Sequence, residues 1–287
     1  NERRIQSTCT WAAPIYGITG DMNLSLGISC SIKTVMHIKC FAILMKNTSI
    51  DRIPIMAGIL VLLALPGTME ILTTLYLLCG YYITVSVIML FTLNIYVLAA
   101  SGRIRHYQAW MILCIFMAIA ISLSGMRGIL VIYFPLFATE LLRWFVYAIT
   151  KRRLPFEVRE YSRTALMSLV MLILAYLGTR SKYAIVMGTS RNIRGGLRKL
   201  ITEAWPSFLQ CINITGTTGS HNIFLIIILV ISLAVMAVYL IANRKVNRAQ
   251  LLTLGFFWMS LIVVFLLNSF TTTAVSARYY FSIFFIV

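Results

Sequence analysis

The chain has 287 residues, 60% of them hydrophobic and 11% charged, and a mean hydropathy of +0.89. Soluble domains carry about 25% charged residues, so this balance excludes water as the main solvent of the fold. The formal charge of +17 comes from 25 Lys and Arg residues dispersed between apolar runs, which argues against a nucleic-acid partner and assigns the charge to membrane topology and lipid head groups.

Apolar runs suited to roughly 30 Å of hydrocarbon fall at residues 23–45, 53–69, 80–100, 107–124, 129–148, 164–178, 222–243 and 250–268, and a truncated one opens at 279. They predict an all-α fold, a polytopic transmembrane helical bundle of about eight complete spans plus the truncated last one, forming a single transmembrane domain over 1–287. The first run contains Lys33, His37 and Lys39. Each Lys costs about 2.5–3.5 kcal/mol at a helix centre, so this run reads either as a span or as a partly interfacial segment. The second breaks at Pro66-Gly67 ahead of Glu70, which reads as a span followed by a short external helix. The run 222–243 is the strongest, with no charge through its Ile/Leu/Val-rich centre. The chain opens at Asn1 without an initiator Met or a signal-peptide core and closes inside the apolar stretch 280–287, so a fragment truncated at both ends is expected.

Orientation follows from the basic residues of the short loops, which are retained in the cytoplasm. The loops 46–52, 101–106, 149–163 and 243–249 together carry twelve Lys and Arg, and the alternate loops 70–79, 125–128 and 268–278 carry two. The first set is therefore predicted cytoplasmic, and the second external together with the segment before residue 23. The region 178–221 becomes a long external loop. Near 191–209 it predicts an interfacial amphipathic helix, with Ile193, Leu197, Leu200, Ile201, Ala204 and Phe208 at helical spacing and Arg194, Arg198 and Thr202 on another face. Gly195-Gly196 weakens the start of this helix and Pro206 kinks it.

Eight acidic residues exist, so candidate acids and bases can be sorted completely. Asp21 and Glu70 stand at external mouths, where each reads as a general base or as a helix cap. Glu140 lies at membrane depth with Arg143 three residues on, a spacing that allows an ion pair and, if the group faces water, a transport role. Lys33 and His37 share a helix face with Cys40 and read as the lining of a polar cavity or as inter-helix contacts. Arg127 in Ser-Gly-Met-Arg-Gly and Arg278 in Ala-Arg-Tyr-Tyr sit at external mouths; with Lys182, Arg191 and Arg194 they make a basic rim suited to a phosphate head group or to ordinary lipid anchoring. The six cysteines form no CxxC or Cys/His cluster, so no metal and no cofactor is expected.

Many spans, short basic loops, a long external loop with an interfacial helix, and the Ser-Gly-Met-Arg-Gly and Ala-Arg-Tyr-Tyr mouths resemble bacterial C-type membrane glycosyltransferases and related cell-envelope glycan proteins. The resemblance implies a bacterial plasma-membrane protein that transfers or polymerises sugars from a polyprenyl-phosphate-linked donor to a glycan acceptor on the external side. It implies Asp21 or Glu70 as the base and Arg127, Arg278, Lys182, Arg191 and Arg194 as phosphate-binding groups. A transporter or flippase with Lys33, His37, Glu140 and Arg143 lining an intramembrane path is the alternative, and a non-catalytic membrane assembly subunit is the third reading.

Overall fold

The structure is a computed structural model and describes residues 8–64, 81–123, 125–150, 158–181, 196–211, 230–231, 234 and 248–270. Every regular element among these residues is helical. In chain order they are α1 (Thr8–Thr19), α2 (Met22–Asn47), α3 (Arg52–Ala64), α4 (Tyr81–Ala100) and α5 (Tyr107–Ser122). A π-helical turn at Ile129–Tyr133 then leads into α6 (Phe134–Thr150), followed by α7 (Val158–Arg180), α8 (Gly196–Lys199), a second π-turn (Leu200–Ala204), α9 (Trp205–Cys211) and α10 (Arg248–Ser269). Three segments, Met22–Asn47, Ile83–Ala100 and Arg163–Arg180, are long and apolar enough to cross a membrane, and Tyr107–Ser122 and Leu252–Leu266 are shorter apolar helices. The molecule is a multi-pass membrane protein on this ground. Of the predicted span 222–243 only residues 230–231 and 234 are described; the span opening at 279 lies outside the described residues, as do residues 65–69 of the second run.

Within the segment expected to be external, Thr8–Thr19 form the helix α1. It folds back along α2 as a hairpin: Gly20 takes φ +65° at the corner, a left-handed value open to glycine, and the hydroxyls of Thr19 and Ser25 meet across it at 2.8 Å. α2 shows why its sequence looked weak as a span. Its buried residues are Ser25, Ser29, Lys33, His37, Phe41 and Leu44, while Ile28, Ile32, Val35, Met36 and Ile43 are exposed. Polar groups face the protein and apolar groups face outward, which is the arrangement a lipid solvent selects.

α4 is the axis. Apart from a few half-buried positions it is buried along its described length, and it packs on α2, α5, α7 and α10. Around it, α5 pairs with α7 and α6 with α10. The α5/α7 crossing is close because Gly178 leaves room for Ser122: a Cβ added there would stand 2.0 Å from the Ser122 hydroxyl oxygen. Small residues at such crossings let helices approach where no hydrophobic force drives them together.

The start of α6 is distorted for a covalent reason. Pro135 has no N–H to give to the carbonyl of Val131 four residues earlier, and its ring crowds that carbonyl; the backbone responds with the π-turn at Ile129–Tyr133. The abandoned oxygen is not left bare, because Ser260 of α10 donates its hydroxyl to it at 2.9 Å. The same arithmetic recurs at Pro206, which follows the π-turn Leu200–Ala204 at the same offset.

Two outcomes check this packing. Gly178→Ala should destabilise the folded state by about 1–3 kcal/mol through overpacking, with part of the loss recovered when Ser122→Ala is added, read as the unfolding midpoint of the detergent-purified protein. Ser260→Ala should cost about 1–3 kcal/mol by orphaning the Val131 carbonyl, whereas Ser260→Thr, which keeps the hydroxyl, should retain most of the stability.

Candidate functional site

Two polar clusters lie inside the bundle, on different stripes of α4. The first is built on the inward face of α2, where Ser25, Ser29, Lys33 and His37 recur every four residues and so stack one turn above another. Lys33 is 2% exposed and His37 3%. The Lys33 ammonium sits 5.5 Å from the centre of the Trp11 ring of α1, a cation–π contact that offsets part of the cost of a buried charge. His37 Nε2 meets the Ser86 hydroxyl of α4 at 2.9 Å. Two turns of α4 further on, the Asn94 amide donates to the carbonyls of Cys40 and Leu90, each at 3.0 Å, and accepts from the Asn47 amide at 2.9 Å. Hydrogen bonds from 37 to 86 and from 47 to 94 fix α2 and α4 as parallel neighbours. Cys40 joins this seam through its backbone, with its side chain half-buried.

The second cluster joins α4 to α6. Tyr96, fully buried, donates its phenol hydrogen to Glu140 Oε1, and the Arg143 guanidinium donates to the same oxygen and, at 3.2 Å, to the Tyr96 hydroxyl oxygen. The predicted Glu140–Arg143 ion pair is therefore present, with a third member that comes from 44 residues earlier in the chain. Glu140 is 2% exposed, and its other oxygen, Oε2, is buried with no hydrogen-bond partner among the described residues.

The mouth residues are arranged differently. Asp21 is exposed and caps α2: its Oδ1 accepts from the backbone N–H of Asn23 at 2.8 Å and of Leu24 at 3.2 Å, satisfying two of the orphan donors of a helix start. Below it, Asn23, Leu26, Gly27, Cys30, Ser31, Thr34 and Val35 line an open groove of about 700 Å³ on the outward face of α2. Arg127 is half-buried just ahead of the π-turn, where Gly125 has φ +124° and Gly128 lies so close to Ile121 that a Cβ would come within 2.8 Å. Asp21 meets the first cluster at its edge, where the Ser25 hydroxyl donates to the Asp21 carbonyl oxygen at 2.5 Å. Glu70, Lys182, Arg191, Arg194 and Arg278 lie outside the described residues.

Of the loop expected to carry an interfacial helix near 191–209, residues 196–211 are described, and they are helical or π-helical throughout. Gly196 packs against Phe270, and Trp205 and Phe208 stack edge-on against Phe265 of α10, 6.4 and 6.0 Å between ring centres. Leu197, Ile201 and Trp205 remain exposed in a row one turn apart, beside exposed Arg198, while Lys199 reaches Glu203 at 3.7 Å. The expected apolar face is thus divided: Ala204 and Phe208 turn to the protein, and Leu197 and Ile201 turn away from it.

Ser86, Asn94 and Tyr96 are the site residues that sequence reasoning passed over. Each is a polar side chain within an otherwise apolar run, and that exception is the signal that marks them, since a polar group in a span faces protein. Arg103 is another: it donates to the Asn47 carbonyl at 2.7 Å, so one of the loop cations counted for orientation also closes the C-terminal end of α2. No group of three or more His, Cys, Asp or Glu side chains that could hold a metal occurs among the described residues.

Comparison with known proteins finds no matching family model, no matching curated protein and no matching solved structure. The geometry alone carries the functional reading.

Asp21 offers a direct test of its two roles. Asp21→Ala should lower stability by about 0.5–2 kcal/mol through loss of the cap, while Asp21→Asn, which still accepts both N–H bonds, should unfold at close to the wild-type midpoint.

Proposed function

We propose that this chain is a membrane transporter that moves a polar solute along the interior of the bundle, with Lys33, His37, Glu140 and Arg143 lining the path. One observation carries the reading: ionisable side chains on α2 and α6 are buried inside the bundle and end on hydroxyl groups of the same central helix, His37 on Ser86 and Glu140 on Tyr96. Buried ionisable groups in spans are costly and mark solute or ion pathways by default. A helix that serves only as packing needs no such pair of contacts, and one interhelical hydrogen bond supplies only about 0.6–2 kcal/mol.

A second reading, glycan transfer from a polyprenyl-phosphate-linked donor, has its own support. Asp21 stands at the head of the groove on the outward face of α2, a lateral opening suited to a lipid-linked substrate, and Arg127 lies at a mouth with glycines on either side of its segment. In this reading Asp21 activates the acceptor hydroxyl and Arg127 steadies the leaving phosphate.

One experiment separates them. The full-length protein is reconstituted in liposomes and assayed for flux of a panel of labelled sugars, amino acids and organic acids, and in parallel for sugar transfer from polyprenyl-phosphate donors. The transport reading expects flux that falls at least about tenfold in Lys33→Met or His37→Leu, equivalent to roughly 1.4 kcal/mol of lost stabilisation, and persists in Asp21→Asn and Arg127→Ala. Sugar transfer without flux, abolished by Asp21→Asn and Arg127→Ala, replaces it with the second reading.

A further inference from the structure

We infer that Glu140 is a proton-binding group, and that the proton it takes up is the driving ion of the transport cycle; the coupling rests on the transport reading, whereas the proton site stands on the geometry around Glu140. The carboxylate is held asymmetrically. Both hydrogen bonds it receives, from Tyr96 and from Arg143, end on Oε1, and Oε2 is a buried acceptor that no described donor reaches. Such an oxygen is expensive to keep charged in a low-dielectric surround. A proton added to Oε2 leaves Oε1 as a carbonyl oxygen that still accepts from both partners, so uptake requires no rearrangement of the cluster.

The charge balance then changes. In the ionised state the carboxylate neutralises Arg143 at the centre of a three-membered cluster. After proton uptake the acid is neutral, and the guanidinium loses that counter-charge. The bonds that Tyr96 and Arg143 give to Oε1 then end on a neutral carbonyl oxygen, so proton binding weakens the contact that ties α4 to α6.

Thr92 lies one turn from Tyr96 on α4, and its hydroxyl oxygen is buried without a hydrogen-bond partner among the described residues. A hydroxyl gives and accepts a proton, so Thr92 is the next group on α4 suited to pass one on. Hydronium in the water on one side supplies the proton, water on the other receives it, and no other reactant is consumed.

Of the helices packed on α6, α7 carries one further carboxylate, Glu160. α10 carries no titratable side chain after Arg248. On α7, Arg163 stacks on Tyr107 and Arg180 on Tyr176, and the adjacent π-turn contributes Tyr133 alone.

The test is infrared difference spectroscopy between acid and neutral pH on the full chain in liposomes, with a pH-sensitive dye inside to follow proton entry. Among the carbonyl-stretch bands of the protonated carboxylic acids, the wild type should show one component that is missing in Glu140→Gln, and Glu140→Gln should slow solute-linked proton entry at least tenfold. Tyr96→Phe, which leaves both charges in place, should keep the band and move it to higher frequency because one hydrogen bond to the carbonyl oxygen is gone. A spectrum that is the same in wild type, Glu140→Gln and Tyr96→Phe overturns the proton site and leaves Glu140 a fixed ion pair. A Glu140-dependent band in a protein that moves no solute overturns the transport reading and the coupling, and keeps the site.

Discussion

A polar side chain on a span has nowhere outside the protein to put its hydrogen bonds, and α4 is where this bundle meets that restriction. It carries Thr84, Ser86, Thr92, Asn94 and Tyr96 in a run that is otherwise aliphatic and aromatic. The groups that Ser86, Asn94 and Tyr96 engage come from helices on different sides: His37, Asn47 and the Cys40 carbonyl from α2, Glu140 and Arg143 from α6. In water these contacts would contribute little, because solvent competes for both members. Inside hydrocarbon a wrong register or rotation of α4 would leave several polar groups bare at once, each costing on the order of 1–3 kcal/mol. The polar residues therefore specify the arrangement of α2, α4 and α6 more than they stabilise it, and the apolar remainder supplies the contact area.

Runs near 23–45, 80–100, 107–124, 129–148, 164–178 and 250–268 fall on the helices α2, α4, α5, α6, α7 and α10, and of these α2, α4 and α7 contain segments long and apolar enough to cross a membrane. Local chemistry was equally legible. Asp21 caps α2 through the two N–H groups that follow it, and Glu140 pairs with Arg143 across one turn; both are contacts between residues two or three apart. The inward face shared by Lys33 and His37 followed from their spacing of four.

What the sequence withheld was set by distance along the chain or by small geometry. Tyr96 and Ser86 reach partners 44 and 49 residues away, and no spacing rule connects them. α1 was missed because Trp11-Ala12-Ala13-Pro14 is too short and too interrupted to read as a span; it becomes helical by packing on α2, which supplies the tertiary contact that short helices lack alone. The π-turn ahead of α6 had a visible cause in Pro135, but whether a proline bends, breaks or widens a helix depends on what can satisfy the carbonyl it abandons. Here that is Ser260, 129 residues away.

These observations combine into a mechanical argument. Ser86 and Tyr96 are ten residues apart on one rigid helix, about 15 Å along its axis and roughly 80° around it, and each is tied to an ionisable side chain on a different neighbour. A small shift or rotation of α4 cannot relieve one tie without loading the other, since the hydrogen bonds at His37 and at Glu140 fix its position at two depths. The helix that bears Glu140 is also the one whose far end is already uncoiled into a π-turn, packed on α10 with the Ser260 hydroxyl on the Val131 carbonyl. Its two ends are thus held differently, one by an ion pair and the other by packing and a hydroxyl. A change in charge at Glu140 acts on the end that α4 controls, and the distorted turn beyond Pro135 is where α6 can yield without breaking a regular backbone ladder.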